Sequence, residues 1–151
     1  MMGFNRVMVW LLRSPLHWLI SRSILALRVI GVKSGRAYDV PVNYVIVELP
    51  EGVRFLISSQ RDRTWWRNLR RRVEIELSFR GKRAMAKAQA FESFEEVING
   101  LSEYFKASPK SARYFNLELN SDGSVPEADL ERMAKERVVI WVDPPANLPS
   151  G

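Results

Sequence analysis

The stretch RVEIELSFRGKRAMAKAQAF, residues 72–91, has the most regular pattern in the chain and decides the fold class. In its first half Val73, Ile75 and Leu77 alternate with polar residues, which is the period of a strand with one buried face. An Arg-Gly pair, which favours a tight turn, leads into a second alternating run with alanine on one face. The stretch therefore predicts an antiparallel hairpin. Its alanine stripe indicates a crowded barrel interior or a closely packed helix.

Further strands are predicted where runs rich in Ile, Leu and Val lie between turn residues. These runs cover residues 23–31, 39–48, 53–59 and 138–143. Helices are predicted from the helical spacing of apolar residues or from capping signals. They cover residues 3–13, 16–21, 93–107 and 124–137. The last two helices open with capping boxes that begin at Ser93 and Ser124.

The order of these elements predicts the architecture. Six strands follow one another mostly as hairpins, with helices at the ends and between the last strands. This order is typical of an α+β, mainly β fold, a small antiparallel barrel with flanking helices. We expect a single domain over residues 1–143 and a tail over residues 144–151.

The composition limits the chemistry that the chain can perform. Its 23 Lys and Arg residues exceed its 17 Asp and Glu residues, giving a formal net charge of +6. Such a charge favours an anionic partner, either nucleic acid, a membrane surface or a phosphorylated cofactor. The chain contains no cysteine, which excludes a disulfide framework and a cysteine nucleophile. Its one histidine, His17, argues against His-clustered zinc sites and Ser-His-Asp hydrolysis, and we expect no metal site.

The turn GVKSGR, residues 31–36, follows the first predicted strand and contains the residue types of a phosphate site. Gly35 can take a positive φ, so that neighbouring backbone N–H groups converge on an anion, while Lys33 and Arg36 add charge. The turn lacks the upstream glycine of a P-loop and the GxGxxG of a Rossmann site. Taken alone, the motif favours an ordinary solvated turn over a binding site.

A second basic segment, RDRTWWRNLRRR, covers residues 61–72. Thr64 would cap a short helix whose first turn holds Trp65 and Trp66, and a helix N-terminus attracts anions. Residues 61–87 contain ten basic and three acidic residues. The alternative, one tryptophan in the core and the arginines in solvent, explains the tryptophans well and the arginine density poorly, and it stays open for this segment alone. Together the two basic segments fit a ligand with a phosphate and an aromatic ring, which one of the tryptophans would wall or stack on.

The series SPLH, GVKSGR, VPVNY and WWRNL resembles the deazaflavin-dependent nitroreductase family, within the flavin/deazaflavin oxidoreductase group. The resemblance covers roughly residues 5–143, and its most specific part is the pairing of GVKSGR with WWRNL. It implies the FMN-binding split β-barrel fold, with coenzyme F420 as the favoured cofactor and FMN as the alternative. Two features depart from the family: the loop QRDRT between Ser59 and Trp65 is short, and a helix is added before the last strand.

The cofactor-binding residues that the resemblance implies lie on the basic turn, the proline-bearing strand and the WWRNL segment. They are Lys33, Ser34, Gly35, Arg36, Pro41, Val42, Asn43, Trp65, Trp66, Arg67 and Asn68. The turn would hold the phosphate, the strand would offer backbone contacts under the ring, and the WWRNL segment would lie at the same pocket. The candidate catalytic residues are Ser59, Tyr44, Tyr104 and Tyr114. Ser59 would lie near the reactive ring edge, and Tyr104 and Tyr114 would close over the substrate.

The activity that the resemblance implies is hydride transfer from the reduced cofactor to an apolar, electron-poor acceptor such as a quinone, nitroaromatic or enone. The protein would mainly position the reactants, and Ser59 or a tyrosine would hydrogen-bond the developing negative charge. The alternatives are an FMN-binding reductase and a non-catalytic carrier of a flavin, tetrapyrrole or lipid. A nucleic-acid-binding barrel is less favoured, and no nucleic-acid partner is expected, because Glu74 and Glu76 occupy the polar face of the clearest strand.

The remaining expectations concern location and assembly. A chain without cysteine fits the reducing cytoplasm. Arg6 and Arg13 interrupt the first apolar segment, so we expect no signal peptide. Trp10 and Trp18 leave a peripheral membrane contact open, although core packing is favoured. Members of the resembled group often pair through the barrel, which implies a homodimer.

Overall fold

The computed structural model describes residues 24–50, 52–79 and 82–143, which form an α+β structure. The strands of this part are β1 Ile24–Ile30, β2 Ala37–Asn43, β3 Val45–Leu49, β4 Gly52–Gln60, β5 Val73–Phe79, β6 Lys82–Phe91 and β7 Arg137–Asp143. A 3₁₀ helix covers Trp65–Leu69. The helices are α1 Phe94–Ala107, α2 Ser111–Tyr114 and α3 Glu127–Glu136.

These seven strands form one antiparallel sheet with the order β2-β1-β5-β6-β7-β4-β3. The sheet curls into a half-barrel, so that Asn43 of β2 and Ser59 of β4 line the same cavity although four strands lie between them in the sheet. Twisted antiparallel strands favour such a curl. The predicted mainly antiparallel fold with flanking helices is confirmed.

The hairpin predicted from residues 72–91 is formed by β5 and β6. In its register Ile75 lies opposite Ala86, and Leu77 lies opposite Ala84. Ile75, Leu77 and Ala86 are buried in the core inside the curled sheet, so the apolar faces of both runs point inward. The alanine stripe therefore belongs to a crowded barrel interior, as its small side chains indicate.

The single strand predicted over residues 39–48 is wrong, because the structure forms two strands there. β2 ends at Asn43 and β3 begins at Val45, with only Tyr44 between them. The two strands lie at opposite edges of the sheet, where β2 pairs with β1 and β3 pairs with β4. A connection of one residue between opposite edges requires a strongly curled sheet. The apolar run over residues 44–47 conceals the break, because Tyr44 is buried like Val42 before it and Val45 after it.

The curl separates two apolar cores on the two faces of the sheet. The inner core contains buried residues from six strands together with Trp65, Trp66 and Leu69 of the 3₁₀ helix, which packs against β1 and β6. The outer core lies beneath α1 and α3. Both cores are built from the alternating faces of the same strands.

Helix boundaries follow the capping signals only in part. The capping box at Ser93 is confirmed, since Ser93 Oγ accepts a hydrogen bond from the Glu96 backbone N–H at 3.3 Å. The box predicted at Ser124 is wrong: α3 begins at Glu127, and Ser124 instead donates to Asp122 in the preceding turn. The competing local bond removes Ser124 from the helix end.

Some predictions lie outside the described residues. These are the helices over 3–13 and 16–21, His17, and the tail over 144–151. Within the described part, no helix has both the length and the apolar character needed to cross a membrane.

Candidate functional site

The turn that follows β1 is held by its own backbone. Gly35 has φ +71°, as predicted, and its N–H donates to the Gly31 carbonyl at 2.8 Å. The Gly31 N–H donates to the Arg36 carbonyl at 2.9 Å, and the Arg36 N–H donates to Ser34 Oγ at 3.2 Å. These three amides are occupied within the turn and are not available to an anion. Binding at the turn would use its side chains and the remaining backbone N–H groups.

The WWRNL segment forms a single 3₁₀ helix without a side-chain cap from Thr64. Trp66 is only 1% exposed and its Nε1 donates to the Arg61 carbonyl at 3.2 Å, so it belongs to the core and does not wall a ligand. Trp65 is buried as well, but it also lines a cavity described below. Of the two tryptophans predicted to contact the ring of a ligand, only Trp65 lines a cavity where it could do so.

Asn68 joins the two basic segments that the sequence places far apart. Its Oδ1 accepts from the Val32 N–H at 2.9 Å, and its Nδ2 donates to the Tyr38 hydroxyl at 2.7 Å and to the Trp65 carbonyl at 3.1 Å. The turn, the start of β2 and the 3₁₀ helix are thereby tied side by side. The amide of Asn68 is used for this connection, so its role in the structure is to position the site.

A cavity of about 860 Å³ lies where these segments meet, and we call it the basic groove. The side chains that define it are those of Lys33, Ser34, Tyr38, Arg67, Asn68, Arg70 and Arg71. The structure therefore brings together Lys33, Ser34, Arg67 and Asn68 of the predicted cofactor residues. Gly35 and Arg36 are exposed but do not line the groove, and Arg70, Arg71 and Tyr38 take their place.

The charge of the basic groove is largely uncompensated. Arg70 pairs with Glu92, at 2.8 Å from Nε to Oε2. Among the described residues, no carboxylate lies within ion-pair distance of Lys33, Arg67 or Arg71. Unpaired cations around one concave surface favour the binding of an anion with more than one charged oxygen.

A second, smaller cavity of about 260 Å³ lies at the end of β2, and we call it the strand-end pocket. The residues that define it are Pro41, Val42, Asn43, Ser59, Arg63, Trp65 and Arg137. It thus collects the predicted strand contacts and Ser59. The strand β2 contributes to both cavities, through Tyr38 to the basic groove and through Pro41 to the strand-end pocket. Pro41 is tolerated because β2 is an edge strand.

The structure does not bring the predicted tyrosines to either cavity. Tyr44 is 5% exposed and packs on Phe55 in the inner core, with ring centroids 5.1 Å apart. Tyr104 lies in the outer core beneath the helices. Tyr114 is 87% exposed on α2, beside that core. Neither Tyr104 nor Tyr114 lines either cavity, although Tyr104 acts electrostatically on Arg137 of the strand-end pocket, and their closing over a substrate stays a prediction.

Two arginines have roles that the sequence pattern did not reveal. The Arg61 guanidinium donates to the carbonyls of Glu92, Ala134 and Arg137 at 2.9, 3.0 and 3.1 Å, so Arg61 anchors the short loop and does not attract a ligand. Arg137 lines the strand-end pocket although it lies 78 positions after Ser59, at the first position of β7. Only the pairing of Ser59 with Val138 across β4 and β7 brings it there.

The fold and its cavities define an α+β half-barrel with a basic groove, and comparisons with known proteins support the fold alone. No protein-family model and no curated protein matches the chain. The protein Atu2129 from Agrobacterium tumefaciens, of unknown function, is similar in structure with a TM-score of 0.50 at 16% identity. The match covers 97% of this chain and 59% of that one, so this chain spans less than two thirds of that protein.

Two further solved structures are less similar. One, described as a domain-swapped dimer, has a TM-score of 0.49 at 18% identity and covers 93% of this chain and 94% of its own. The other is a candidate 5-nitroimidazole antibiotic resistance protein from Bacteroides thetaiotaomicron, with a TM-score of 0.45 at 11% identity, covering 85% of this chain and 76% of its own. Neither similarity extends to function or assembly.

Proposed function

We propose that the chain is an oxidoreductase that binds a flavin-type cofactor, with coenzyme F420 favoured, and that hydride passes to an electron-poor acceptor. The observation that carries this proposal is the contact between GVKSGR and WWRNL through Asn68, which makes one basic groove of the two segments. These segments are the ones that carry the resemblance to the deazaflavin-dependent nitroreductases.

The donor set of the basic groove fits a phosphate-bearing cofactor. Lys33, Arg67 and Arg71 supply charge, and Ser34 supplies a hydroxyl. Such groups hold phosphate through charge-assisted hydrogen bonds. Because Arg36 does not line the groove, the phosphate contact expected there is assigned to Arg67 and Arg71 instead.

The strand-end pocket is suited to the part of the site where the ring of the cofactor meets the acceptor. The cofactor, when bound, supplies the hydride. A ligand following β2 from the basic groove would extend towards Pro41 and Ser59. The Ser59 hydroxyl, which donates to the Gln60 carbonyl at 3.3 Å in this structure, would turn to the acceptor as negative charge develops on it. The chain mainly orients the reactants.

Titration of the protein with F420 and with FMN, followed by fluorescence, tests this proposal. We expect tight binding of one of them, and the ratio of the two affinities identifies the cofactor. Lys33→Ala and Arg71→Ala should each weaken binding by about tenfold, since a charge-assisted contact is lost. Both side chains lack an ion pair within the described residues, so the loss reports on the ligand.

Arg113→Ala is the matched control, because Arg113 is exposed on α2 and lines neither cavity. Its affinity should equal that of the wild type. Unchanged binding in both groove variants would remove the basic groove from the site. Tight binding without reduction of menadione by the reduced cofactor would favour the non-catalytic carrier instead.

A further inference from the structure

The strand-end pocket is more polar than an apolar acceptor needs. Arg63 and Arg137 line it beside Ser59 and Asn43, while Trp65 contributes apolar surface. Among the described residues, neither arginine has a carboxylate within ion-pair distance. The pocket therefore carries positive charge of its own, separate from that of the basic groove.

Arg137 is held in a defined orientation. Its Nε donates to Ser58 Oγ at 2.6 Å and its Nη2 donates to the Ser58 carbonyl at 3.3 Å. Its Cζ lies 4.9 Å from the centroid of the Phe115 ring. A guanidinium has five N–H donors, and these contacts use two of them. The remaining donors have no hydrogen-bond partner in the described part of the chain.

The environment of Arg137 favours an anion. The residue is half-buried, and burial lowers the pKa of its guanidinium because the charged form loses water, while Tyr104 and Glu136 act electrostatically in the opposite direction. A desolvated charge is costly unless it is paired. Glu136 precedes Arg137 in the chain but is exposed and lies beyond ion-pair distance. A bound anion would supply the missing partner.

We propose that the strand-end pocket is a binding site for the carboxylate of a small aromatic acid, with Arg137 as the principal cation and Trp65 against the ring. Arg137 lines this pocket, and the donors left on its planar guanidinium would match the two oxygens of a carboxylate. Arg63 adds charge at the rim. The acid would occupy the place that the proposed function gives to the acceptor, while its binding rests on side chains of the chain itself.

The test compares benzoate with benzamide, which has nearly the same shape without the charge. The full chain without added cofactor is titrated with each, and binding is followed by NMR of ¹⁵N-labelled arginine side chains. We expect benzoate to bind at least about tenfold more tightly than benzamide and to shift the Arg137 Nε resonance. Equal affinities, or no binding of benzoate at millimolar concentration, would overturn the proposal.

Variants distinguish a binding role for Arg137 from a structural one. Arg137→Gln should abolish the preference for benzoate, Arg137→Lys should retain part of it, and Arg113→Gln should leave it unchanged. A preference that survives in Arg137→Gln would contradict the assignment. If Arg137→Gln does not fold, the binding role is tested by two other results. A shift of the Arg137 Nε resonance in the wild type and a partly retained preference for benzoate in Arg137→Lys would support it, and the absence of both would overturn it. Since no cofactor is present, these results stand whether or not the proposed oxidoreductase activity holds.

Discussion

At the residue scale, Asn68 shows how one side chain can assemble a site. Its amide accepts one hydrogen bond and donates two, joining the basic turn, β2 and the 3₁₀ helix. An asparagine suits this place because it carries both an acceptor and two donors on a short side chain. Lys33 and Arg67 reach one groove because Asn68 holds their two segments together.

Replacing Asn68 with alanine should lower the free energy of unfolding by about 1 kcal/mol, because several partly exposed hydrogen bonds are lost. Tyr38→Phe removes only the hydroxyl that Asn68 donates to, and should cost less, about 0.5 kcal/mol. Urea denaturation of both single variants and the double variant measures the coupling between them. A loss in Asn68→Ala no larger than that in Tyr38→Phe would refute the joining role.

At the element scale, the packing of α1 on β7 supports the strand that begins at Arg137. Gly100 lies where the helix approaches the sheet most closely, since a Cβ built on it would lie 2.7 Å from Val139 Cγ2. Val139 is fully buried on β7, two positions after Arg137. The close packing of α1 on this part of β7 therefore requires a residue without a side chain at position 100.

We expect Gly100→Ala to destabilise the protein by about 1–3 kcal/mol, because the added methyl group overpacks this contact. In an exposed helix the same change would be stabilising, by about 1 kcal/mol. Asn99→Ala, at an exposed position of the same helix, is the control and should not destabilise it. Thermal or urea unfolding that shows Gly100→Ala to be as stable as the wild type would mean that α1 lies farther from β7.

At the scale of the whole molecule, the curled sheet puts the basic groove and the helical core on different faces, while Arg137 of the strand-end pocket also contacts Phe115 of the helical core. The basic groove forms beside the 3₁₀ helix, whose tryptophans and leucine belong to the inner core. Tyr104 lies in the outer core, where burial raises the pKa of its hydroxyl, although a hydrogen bond from Ser111 and the charge of Arg137 lower it. Burial also raises the pKa of Tyr38, against a smaller opposing effect of Asn68.

These shifts predict how stability depends on pH. In the unfolded chain a tyrosine loses its proton near pH 10, whereas Tyr104 in the folded chain keeps it to higher pH. The folded state then binds more protons, so its stability should fall as the pH rises above about 10. Tyr104→Phe should reduce the fall between pH 9 and pH 11 in urea unfolding, and Tyr114→Phe, at an exposed position, should not. Identical pH profiles for Tyr104→Phe and the wild type would disprove this assignment.

Much of the site could be predicted from local composition. Lys33, Ser34, Arg67 and Asn68 belong to short basic motifs, and the structure brings them to one groove. The structure places the predicted tyrosines outside both cavities, because family position says nothing about the burial of a particular ring. Tyr38 and Arg71 were not predicted as site residues, because they line the basic groove only through the neighbours that the fold brings to them.

The hairpin of β5 and β6, the inward alanine stripe and the cap at Ser93 could all be predicted from the sequence, because alternation and capping are local properties of the chain. The break at Tyr44, the curl of the sheet and the position of Arg137 beside Ser59 come from tertiary contacts. These depend on which strands become neighbours, and that choice follows from burying both faces of one sheet at once. Which distant strands pair cannot be seen in the alternation of apolar and polar residues within each strand.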